Sequence, residues 1–350
     1  RGVEEIGIRM IPHTILPGNP DKFGRWVRDH LSQLDILHLH WFQRLYLRPS
    51  RFRTLVAIRS MLRALRVARS AGIAVTWTVH NLLPHERPYP RLDLLAHRLI
   101  ADLVDRAYVE TAEAVPAAVT AYPCLRGRIS IVPLGSYTSL YPSGATMRDA
   151  RKRFGLPTDA TVWLAFGLIR RYKQIPELIT TFAETFGADP NRILLVAGEP
   201  HNAVERARIE HAAAGVRNVI LRLNRVPEQD VATLLAAANY VVCNYRGSFN
   251  SGVALLAASF GRAVLAPPQG NTRDMPPGAI IPIHPILTGT RDALLASTAA
   301  SWRQAGEAAR TWSRQRTWGL TAATIAYTWR ELAPQCRVSP PAEALDTIAL

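Results

Sequence analysis

The sequence predicts an α/β protein made of two doubly wound modules, each a parallel sheet covered by helices. Short aliphatic or β-branched runs alternate with longer helical patterns along almost the whole chain, which is typical of repeated βα units. The 350 residues suffice for two such modules and exceed what one small core needs. A Pro-Ser-Gly stretch at 142–144 indicates a linker. We therefore expect one domain over 1–145, a second over 146–335 and a loose tail over 336–350.

The pattern in the first module predicts four strands and three helices. Aliphatic runs indicate the strands, and apolar residues at helical spacing indicate the helices. Residues 1–20 offer only a weak strand over 5–10, without a glycine-rich turn, so we expect the usual first strand to lie before Arg1. The predicted strands are 36–40, 73–79, 107–109 and 129–133, and the predicted helices are 51–71, 91–105 and 112–121.

The pattern in the second module predicts five strands, each followed by helix. Pro176 and Pro227 mark two helix starts. Ligands of doubly wound sheets bind beyond the carboxyl ends of the strands, and the cleft between two facing modules is the expected site. The predicted strands are 162–167, 193–198, 219–223, 240–244 and 263–267, and the predicted helices are 175–187, 203–214, 228–238, 252–260 and segments of 291–332.

The charge balance points to an anionic partner. Lys and Arg total 42 against 27 acidic residues, which gives a net charge of +15. Such a field favours nucleic acid, anionic lipid headgroups or phosphorylated small molecules, and arginine suits forked contacts to phosphate. An arginine-rich coding bias spread over a solvated surface explains the charge equally well. No nucleic-acid recognition motif and no basic strand with interleaved aromatic residues occur, so we expect no nucleic-acid partner.

Two further compositional features exclude whole classes of protein. Cys124, Cys243 and Cys336 are odd in number and far apart, which excludes a disulfide scaffold and a zinc knuckle. The sequence has no run of about 18 apolar residues of the kind that spans a bilayer.

The loop after the strand 162–167 carries a glycine and two cations. Gly167 ends the strand and allows close approach of a ligand to the backbone, and Arg170 and Lys173 follow within six residues. Two cations at the mouth of a parallel sheet can hold a diphosphate and stabilise the charge of a departing nucleotide. The alternative is a pair of solvated side chains, and the position at a strand's carboxyl end favours binding.

A second loop follows the strand 240–244 and leads into an apolar helix. Asn250 or Ser251 is a natural N-cap, so the amides of Gly252 and Val253 at the helix start would face an anion. An ordinary capped helix is an equally good interpretation of this loop alone. The neighbouring Arg170 loop favours the anion site.

A third loop carries groups suited to acid–base chemistry. His80 comes directly after the strand 73–79, and Asn81, His85 and Glu86 follow within six residues. Histidine at the carboxyl end of a strand can accept a proton from a substrate hydroxyl. A histidine merely hydrogen-bonded in the cleft is the alternative. One short loop is poor evidence for a metal site, and we expect no metal.

Two more histidines, His38 and His40, end the neighbouring strand and precede Trp41. Side chains two residues apart on a strand point to the same face. We therefore expect both histidines near the His80 loop, with one of them in a structural role.

The helix predicted over 51–71 is rich in arginine. One side carries leucine and isoleucine at helical spacing, and another carries arginine. This pattern predicts either a helix resting on an anionic membrane or a surface helix packed on the sheet by its leucines. The apolar positions are Leu55, Ile58, Leu62 and Leu65, and the arginines opposite are Arg59, Arg63 and Arg66.

Four segments in this order resemble the GT-B glycosyltransferases, and more closely the inverting β-mannosyltransferases of glycosyltransferase family 94. The segments read DILHLHW at 35–41, HNLLPHE at 80–86, FGLIRRYK at 166–173, and YR, NSG and AVLAP within 245–267. The resemblance implies two Rossmann-like domains facing a cleft. It also implies transfer of mannose from GDP-mannose to a lipid-linked glycan. A UDP-sugar or another donor, a basic nucleic-acid binder and a catalytically inactive scaffold stay open as alternatives.

The resemblance also implies roles for the residues of these loops. His80 is the first candidate for the catalytic base and Glu86 the second. The resemblance implies that no cofactor or metal is needed, since fixed cations replace it, and that the chain lies peripherally on the inner face of the plasma membrane. The implied diphosphate site is Gly167, Arg170, Lys173, Asn250, Ser251 and Gly252. The implied acceptor or cleft residues are His38, His40, Trp41, Asn81, His85, Tyr245 and Arg246.

One departure separates the chain from many retaining GT-B enzymes. Those enzymes carry two glutamates eight residues apart around the helix after the fourth strand of the second domain. Ser248 and Leu256 occupy the corresponding places here. The carboxylate pair is absent, which agrees with an inverting mannosyltransferase and removes the usual contacts to the ribose and the donor sugar.

Overall fold

The computed structural model describes residues 8–11, 20–84, 88–141, 145–187, 189–284, 289–299 and 301–333. They form two compact units. The first unit contains the chain up to Gly135 and again from Thr317, and the second unit is Ser136–Arg316. The predicted linker at 142–144 and the tail at 336–350 lie outside the described residues.

The first unit is a four-stranded parallel sheet in the order β1-β2-β3-β4. Its register pairs Leu37 with Val75, Trp77 with Ala107, and Tyr108 with Ser130. The strands are β1 Ile36–Leu39, β2 Ala74–Thr78, β3 Arg106–Val109 and β4 Ile129–Ile131. The helices are α1 Pro20–Asp29, α2 Gln43–Tyr46, α3 Arg51–Ser70, α4 Pro90–Ala101 and α5 Ala114–Ala121.

The second unit is a six-stranded parallel sheet in the order β10-β9-β8-β5-β6-β7. Its strands are almost fully apolar because helices cover both faces, and Trp163, Leu194 and Val241 are completely buried. The strands are β5 Thr161–Phe166, β6 Arg192–Ala197, β7 Val219–Arg222, β8 Tyr240–Val242, β9 Ala263–Ala266 and β10 Ile280–Pro282. The helices are α6 Met147–Phe154, α7 Ile175–Phe186, α8 Ala203–Ala213, α9 Glu228–Ala237, α10 Gly252–Ser259, α11 Thr290–Ala299 and α12 Trp302–Arg314.

The last helix, α13 Trp318–Leu332, belongs to the first unit, although the sequence placed it in the second domain. Side-chain bonds explain its position. The Tyr108 and Thr328 hydroxyls are 2.7 Å apart, and the Thr321 hydroxyl donates to the Pro133 carbonyl over 2.7 Å. These contacts join segments far apart in the sequence, so the local pattern does not reveal them.

The predicted strands and helices are confirmed over most of the chain, with ends that differ by up to four residues. The sequence missed α1, α2, α6 and β10. Strand β10 is three residues long and ends in Pro282, a residue that an edge strand tolerates, so it leaves no alternating signal. The weak strand predicted over 5–10 lies mostly outside the described residues, and 8–11 carry neither helix nor strand.

Within the described residues, no helix is long and apolar enough to cross a bilayer.

In the second unit the chain leaves β5 toward β6 and β7 and returns on the other side of β5 at β8. The strand order thus reverses between β5 and β8, and ligands of doubly wound sheets bind at such a switch point.

Candidate functional site

Gly167 lies where β5 ends at this switch point, and its backbone has a φ of +91°. Only glycine adopts that region without strain. The loop after β6 packs against Gly167, because a Cβ on Gly198 would overlap the Gly167 carbonyl. The absence of side chains at Gly167 and Gly198 thus lets the two loops pack closely at the ends of β5 and β6.

The Lys173 side chain lies next to Gly167. It is only 5% exposed, and its Nζ donates a hydrogen bond to the Phe166 carbonyl over 2.8 Å. A Cβ on Gly167 would lie 3.3 Å from that Nζ and 3.6 Å from Cγ2 of Val253. The structure thus brings Gly167, Lys173 and the start of α10 together, as the two predicted anion loops require.

The pKa of Lys173 is lowered to about 8; burial is the main cause, Cys243 acts in the opposite direction, and the nearby charge of Arg170 makes a smaller contribution that also lowers it. The ammonium form still predominates at neutral pH. A buried ammonium group with one carbonyl partner gains from a second, anionic partner, because desolvation strengthens such a contact.

Helix α10 begins at this point, and Ser251 is its N-cap. The Ser251 hydroxyl accepts from the Ala254 amide over 3.1 Å, which settles the choice between Asn250 and Ser251. The buried side chain of Asn271 holds the cap, since its Oδ1 accepts from the Ser251 amide over 2.9 Å and its Nδ2 donates to the Ser251 carbonyl over 3.1 Å. Helix geometry leaves the amides of Gly252 and Val253 without intrahelical partners.

Asn250 adds polar atoms to the same loop. Its Oδ1 and Nδ2 are both buried, and neither meets a hydrogen-bond partner among the described residues. A buried amide side chain without partners costs free energy unless a ligand or water satisfies it.

Tyr245 and Arg246, predicted to lie in the cleft, have different surroundings. Tyr245 is 5% exposed, and its ring lies 5.4 Å from Lys173 Nζ. Burial raises the pKa of Tyr245 well above its ordinary value. Arg246 is exposed, and its amide donates to the Tyr172 carbonyl over 2.8 Å. Tyr245 therefore packs against Lys173 and not in an open cleft.

Sequence reasoning missed the groups under the loop, above all Cys243 and Asn271. Cys243 is buried, and the Ser251 hydroxyl lies 3.9 Å from its sulfur. Burial raises the pKa of the Cys243 thiol. An isolated cysteine or asparagine gives no periodic signal, so only the tertiary structure places them.

In the first unit, three histidines meet at the carboxyl ends of β1 and β2. The His38 and His40 ring centroids are 4.4 Å apart, and those of His40 and His80 are 5.1 Å apart. This confirms the shared face of His38 and His40. The indole of Trp41 stacks parallel on His80 at 4.7 Å, in a backbone conformation with a φ of +46° that is uncommon outside glycine.

His38 has a structural role, as predicted for one of the pair. Its Nδ1 lies 2.7 Å from the Thr76 hydroxyl, and its Nε2 lies 3.0 Å from the Thr78 hydroxyl. Both ring nitrogens are therefore engaged. The two threonines are two residues apart on β2 and share one face, a signal that the sequence offered.

The pKa values of the three histidines all lie below the ordinary value. Desolvation lowers the pKa of His80 to about 4, with a contribution from His40. Desolvation also lowers the pKa of His40 and, together with both neighbouring rings, holds that of His38 well below its usual range. The rings are neutral at pH 7, and a neutral imidazole can accept a proton.

Asn81 lies beside His80 in a small recess that Trp41, Trp77 and His97 also line. His85 and Glu86, the second candidate for the base, lie outside the described residues. Glu110, a buried carboxylate directly after β3, is a further group at the same sheet edge that sequence reasoning missed.

No family model matches the chain. The GDP-mannose:glycolipid 4-beta-D-mannosyltransferase of Xanthomonas campestris pv. campestris is 33% identical over 238 residues, which are 68% of this chain and 62% of that protein. The D-inositol 3-phosphate glycosyltransferase of Corynebacterium efficiens is 29% identical over 255 residues, 68% of this chain and 59% of that protein. The match thus spans about three fifths of each relative.

Solved structures match over more of the chain. Sucrose-phosphate synthase from Thermosynechococcus elongatus superposes with a TM-score of 0.66 at 19% identity, covering 82% of this chain and 81% of that one. Anabaena Alr3699/HepE, solved with UDP-glucose, gives 0.68 at 15% identity, covering 91% and 85%. The chain has the GT-B fold. The fold class predicted from the sequence, two doubly wound Rossmann-like units, is confirmed. In the second unit of this GT-B chain, the Lys173 loop and the start of α10 meet at the switch point of the sheet.

Proposed function

We propose that the chain is a glycosyltransferase that binds the diphosphate of a nucleotide-sugar at the Lys173 loop and the start of α10. One observation carries the proposal. The buried Lys173 ammonium group and Val253 at the start of α10 both lie within 4 Å of the place a Cβ on Gly167 would take, and the charge of Arg170 acts on Lys173. The similarity to glycosyltransferases in sequence and in fold supports it.

The donor we propose is GDP-mannose, and the acceptor is a lipid-linked glycan. The name of the 33% identical relative supports this choice. The solved UDP-glucose complex of the Anabaena neighbour makes a UDP-sugar the alternative.

Leu256 is buried within α10, and the Ser248 hydroxyl donates to the Asn250 carbonyl. No carboxylate occupies either position, and inversion by a single displacement requires no carboxylate nucleophile.

In this single displacement, an acceptor hydroxyl oxygen attacks the anomeric carbon while the bond from that carbon to the diphosphate oxygen breaks. The electron pair stays on the diphosphate, where Lys173, Arg170 and the amides of Gly252 and Val253 stabilise the charge. His80 takes the proton of the hydroxyl. We propose that fixed cations do here what a metal ion does in other transferases.

A transfer assay with an anomeric readout tests this reaction. The chain is incubated with GDP-mannose and a membrane lipid extract as the source of acceptor, and the product is analysed by NMR. We expect a new β-mannosidic linkage with GDP-mannose and none with UDP-glucose. A product of α configuration would contradict inversion, and transfer from UDP-glucose alone would contradict the choice of donor.

A lipid-linked acceptor calls for a membrane-facing surface, and exposed apolar side chains on the first unit supply a candidate for one. On α3, Phe52 is 74% exposed and Val56 is 44% exposed, and on α4, Leu95 is 44% exposed. The two helices border one groove. We call this set the Phe52 surface, and its members are Phe52, Leu55, Val56, Tyr89, Leu92 and Leu95.

The exposed charged residues of the two helices that carry the Phe52 surface are all basic. Helix α3 carries six arginines and no acidic residue, and the one acid of α4, Asp93, is buried. Arg51 and Arg91 line the groove itself. Exposed apolar side chains next to arginines match an anionic bilayer, in which rings and alkyl groups enter the interface and guanidinium groups meet phosphates. We propose that this surface binds anionic phospholipid.

A further inference from the structure

One hydrogen bond joins His40, which follows β1, to His80, which follows β2. His40 Nδ1 and His80 Nε2 are 2.8 Å apart, so one proton lies between them and one ring must donate. When His80 donates, its Nδ1 is the nitrogen left to accept a proton, and His40 Nε2 carries the other hydrogen. The two rings thus form a chain with one accepting end and one donating end.

The surroundings of the two rings differ. His80 is half-buried beneath the indole of Trp41, whereas His40 is exposed to solvent. The His80 ring lies in the recess beside Asn81, and the His40 ring can pass a proton directly to water.

We propose that His40 relays to solvent the proton that His80 takes from the acceptor hydroxyl. The relay rests on the proposed glycosyl transfer. As the hydroxyl oxygen bonds to the anomeric carbon, its proton moves to His80 Nδ1. The Nε2 proton of His80 moves to His40 Nδ1, and the Nε2 proton of His40 moves to water. Each ring ends neutral, with its proton on the other nitrogen.

The relay overcomes the weakness of His80 as an isolated base. Desolvation lowers the pKa of His80 to about 4, so a proton that stayed on this ring would be held poorly at neutral pH. When the second proton leaves through His40, the half-buried ring does not have to keep a positive charge, and desolvation no longer opposes the transfer.

The neighbouring groups hold the pair in this geometry. His38 packs edge-on against His40 at 4.4 Å and is itself fixed by Thr76 and Thr78. Trp41 stacks on His80 with 5° between the rings. His38 therefore fixes the His40 ring, and Trp41 fixes the His80 ring.

The test is a comparison of His40→Ala with His211→Ala, which removes an exposed histidine on α8 of the second unit. In the transfer assay we expect kcat of His40→Ala to fall by about 100-fold, the lower end of what a positioned proton-transfer group contributes. The KM for the donor should stay unchanged, and free imidazole should restore part of kcat. His211→Ala should retain full activity. His40→Gln, which keeps a polar side chain, should lose kcat in the same way.

The outcomes separate the relay from the proposed function. Full kcat in both His40 variants overturns the relay and leaves the transferase intact. A loss of kcat that imidazole does not restore, or a raised KM for the donor, also overturns it, since those results indicate a structural role. A wild-type chain that transfers no sugar from any nucleotide-sugar overturns the proposed function itself.

Discussion

Lys173 owes its lowered pKa to burial beside Gly167, whose missing side chain leaves room for the ammonium group. Sequence alone predicted Gly167, Arg170 and Lys173 as a set, because glycine and cations at the end of a strand form a local pattern. Cys243 and Asn271 come from another strand end and another loop, and no local pattern connects them to this set. Tyr245 was expected in the cleft, and its position beside Lys173 was not predicted. The chemical residues could thus be predicted, and the groups that position them could not.

Replacement of Lys173 by Met tests the diphosphate site at this scale. The variant keeps an unbranched side chain of similar length and removes the charge. We expect GDP to bind with an affinity lower by about 1.5–3 kcal/mol, the range for hydrogen bonds to charged groups. Isothermal titration calorimetry measures the affinity. Lys152→Met, which removes an exposed lysine from α6 of the same unit, should bind GDP normally. Equal losses in the two variants would point to general electrostatics.

The pH dependence of GDP binding follows from the same group. The pKa of Lys173 in the free protein is lowered to about 8, so above that pH the neutral amine predominates and must gain a proton to hold the anion. We expect GDP affinity to be constant below pH 7.5 and to fall as pH rises to 9.5. Calorimetry across this range should show no such fall in Lys173→Met. A fall of equal size in the variant would assign the titration to another group.

At the scale of elements, helix α3 shows what periodicity predicts and where it fails. Ile58, Leu62 and Leu65 are buried as the spacing predicts, whereas Leu55 is 36% exposed. Leu55 instead lines a surface groove with Tyr89 and Leu92 at the start of α4, so the apolar stripe continues onto the surface there. Spacing identifies a helix face, and only the tertiary structure tells what lies against it.

Vesicle binding tests the Phe52 surface. We expect the chain to sediment with vesicles of phosphatidylglycerol and to remain in solution with pure phosphatidylcholine, and high salt should weaken binding because it screens arginine. The double variant Phe52→Ser with Leu55→Ser should lose most of the binding. Val204→Ser is the matched control, since Val204 is 70% exposed on α8. Equal loss in the control, or none in the double variant, would show that lipid binds elsewhere.

On the scale of the whole molecule, the chain runs through the first unit, then the second, and returns to the first at α13. The alternation of strands and helices predicted two doubly wound units, because that pattern is local. The return of α13 was not predicted, since it depends on contacts of Tyr108 and Pro133 with residues almost two hundred positions or more away.

Trp329 tests how much the returning helix stabilises the first unit. Its side chain is 7% exposed and packs 5.5 Å from the His38 ring. Trp329→Ala should lower the free energy of unfolding by about 3–5 kcal/mol, the usual cost of deleting a large buried aromatic side chain. Urea unfolding measures the change. Tyr327→Ala, on the same helix and 47% exposed, should cost far less, and a similar cost for both would contradict the packing of α13.

We propose that the second unit holds a nucleotide-sugar by its diphosphate. Calorimetric titration of the chain with GDP-mannose tests it most directly, with the double variant Arg170→Ala and Lys173→Met beside the wild type. We expect saturable binding at a single site that GDP competes away and that the double variant loses. Binding of equal strength in the double variant, or no heat of binding with any nucleotide-sugar in the wild type, would contradict it.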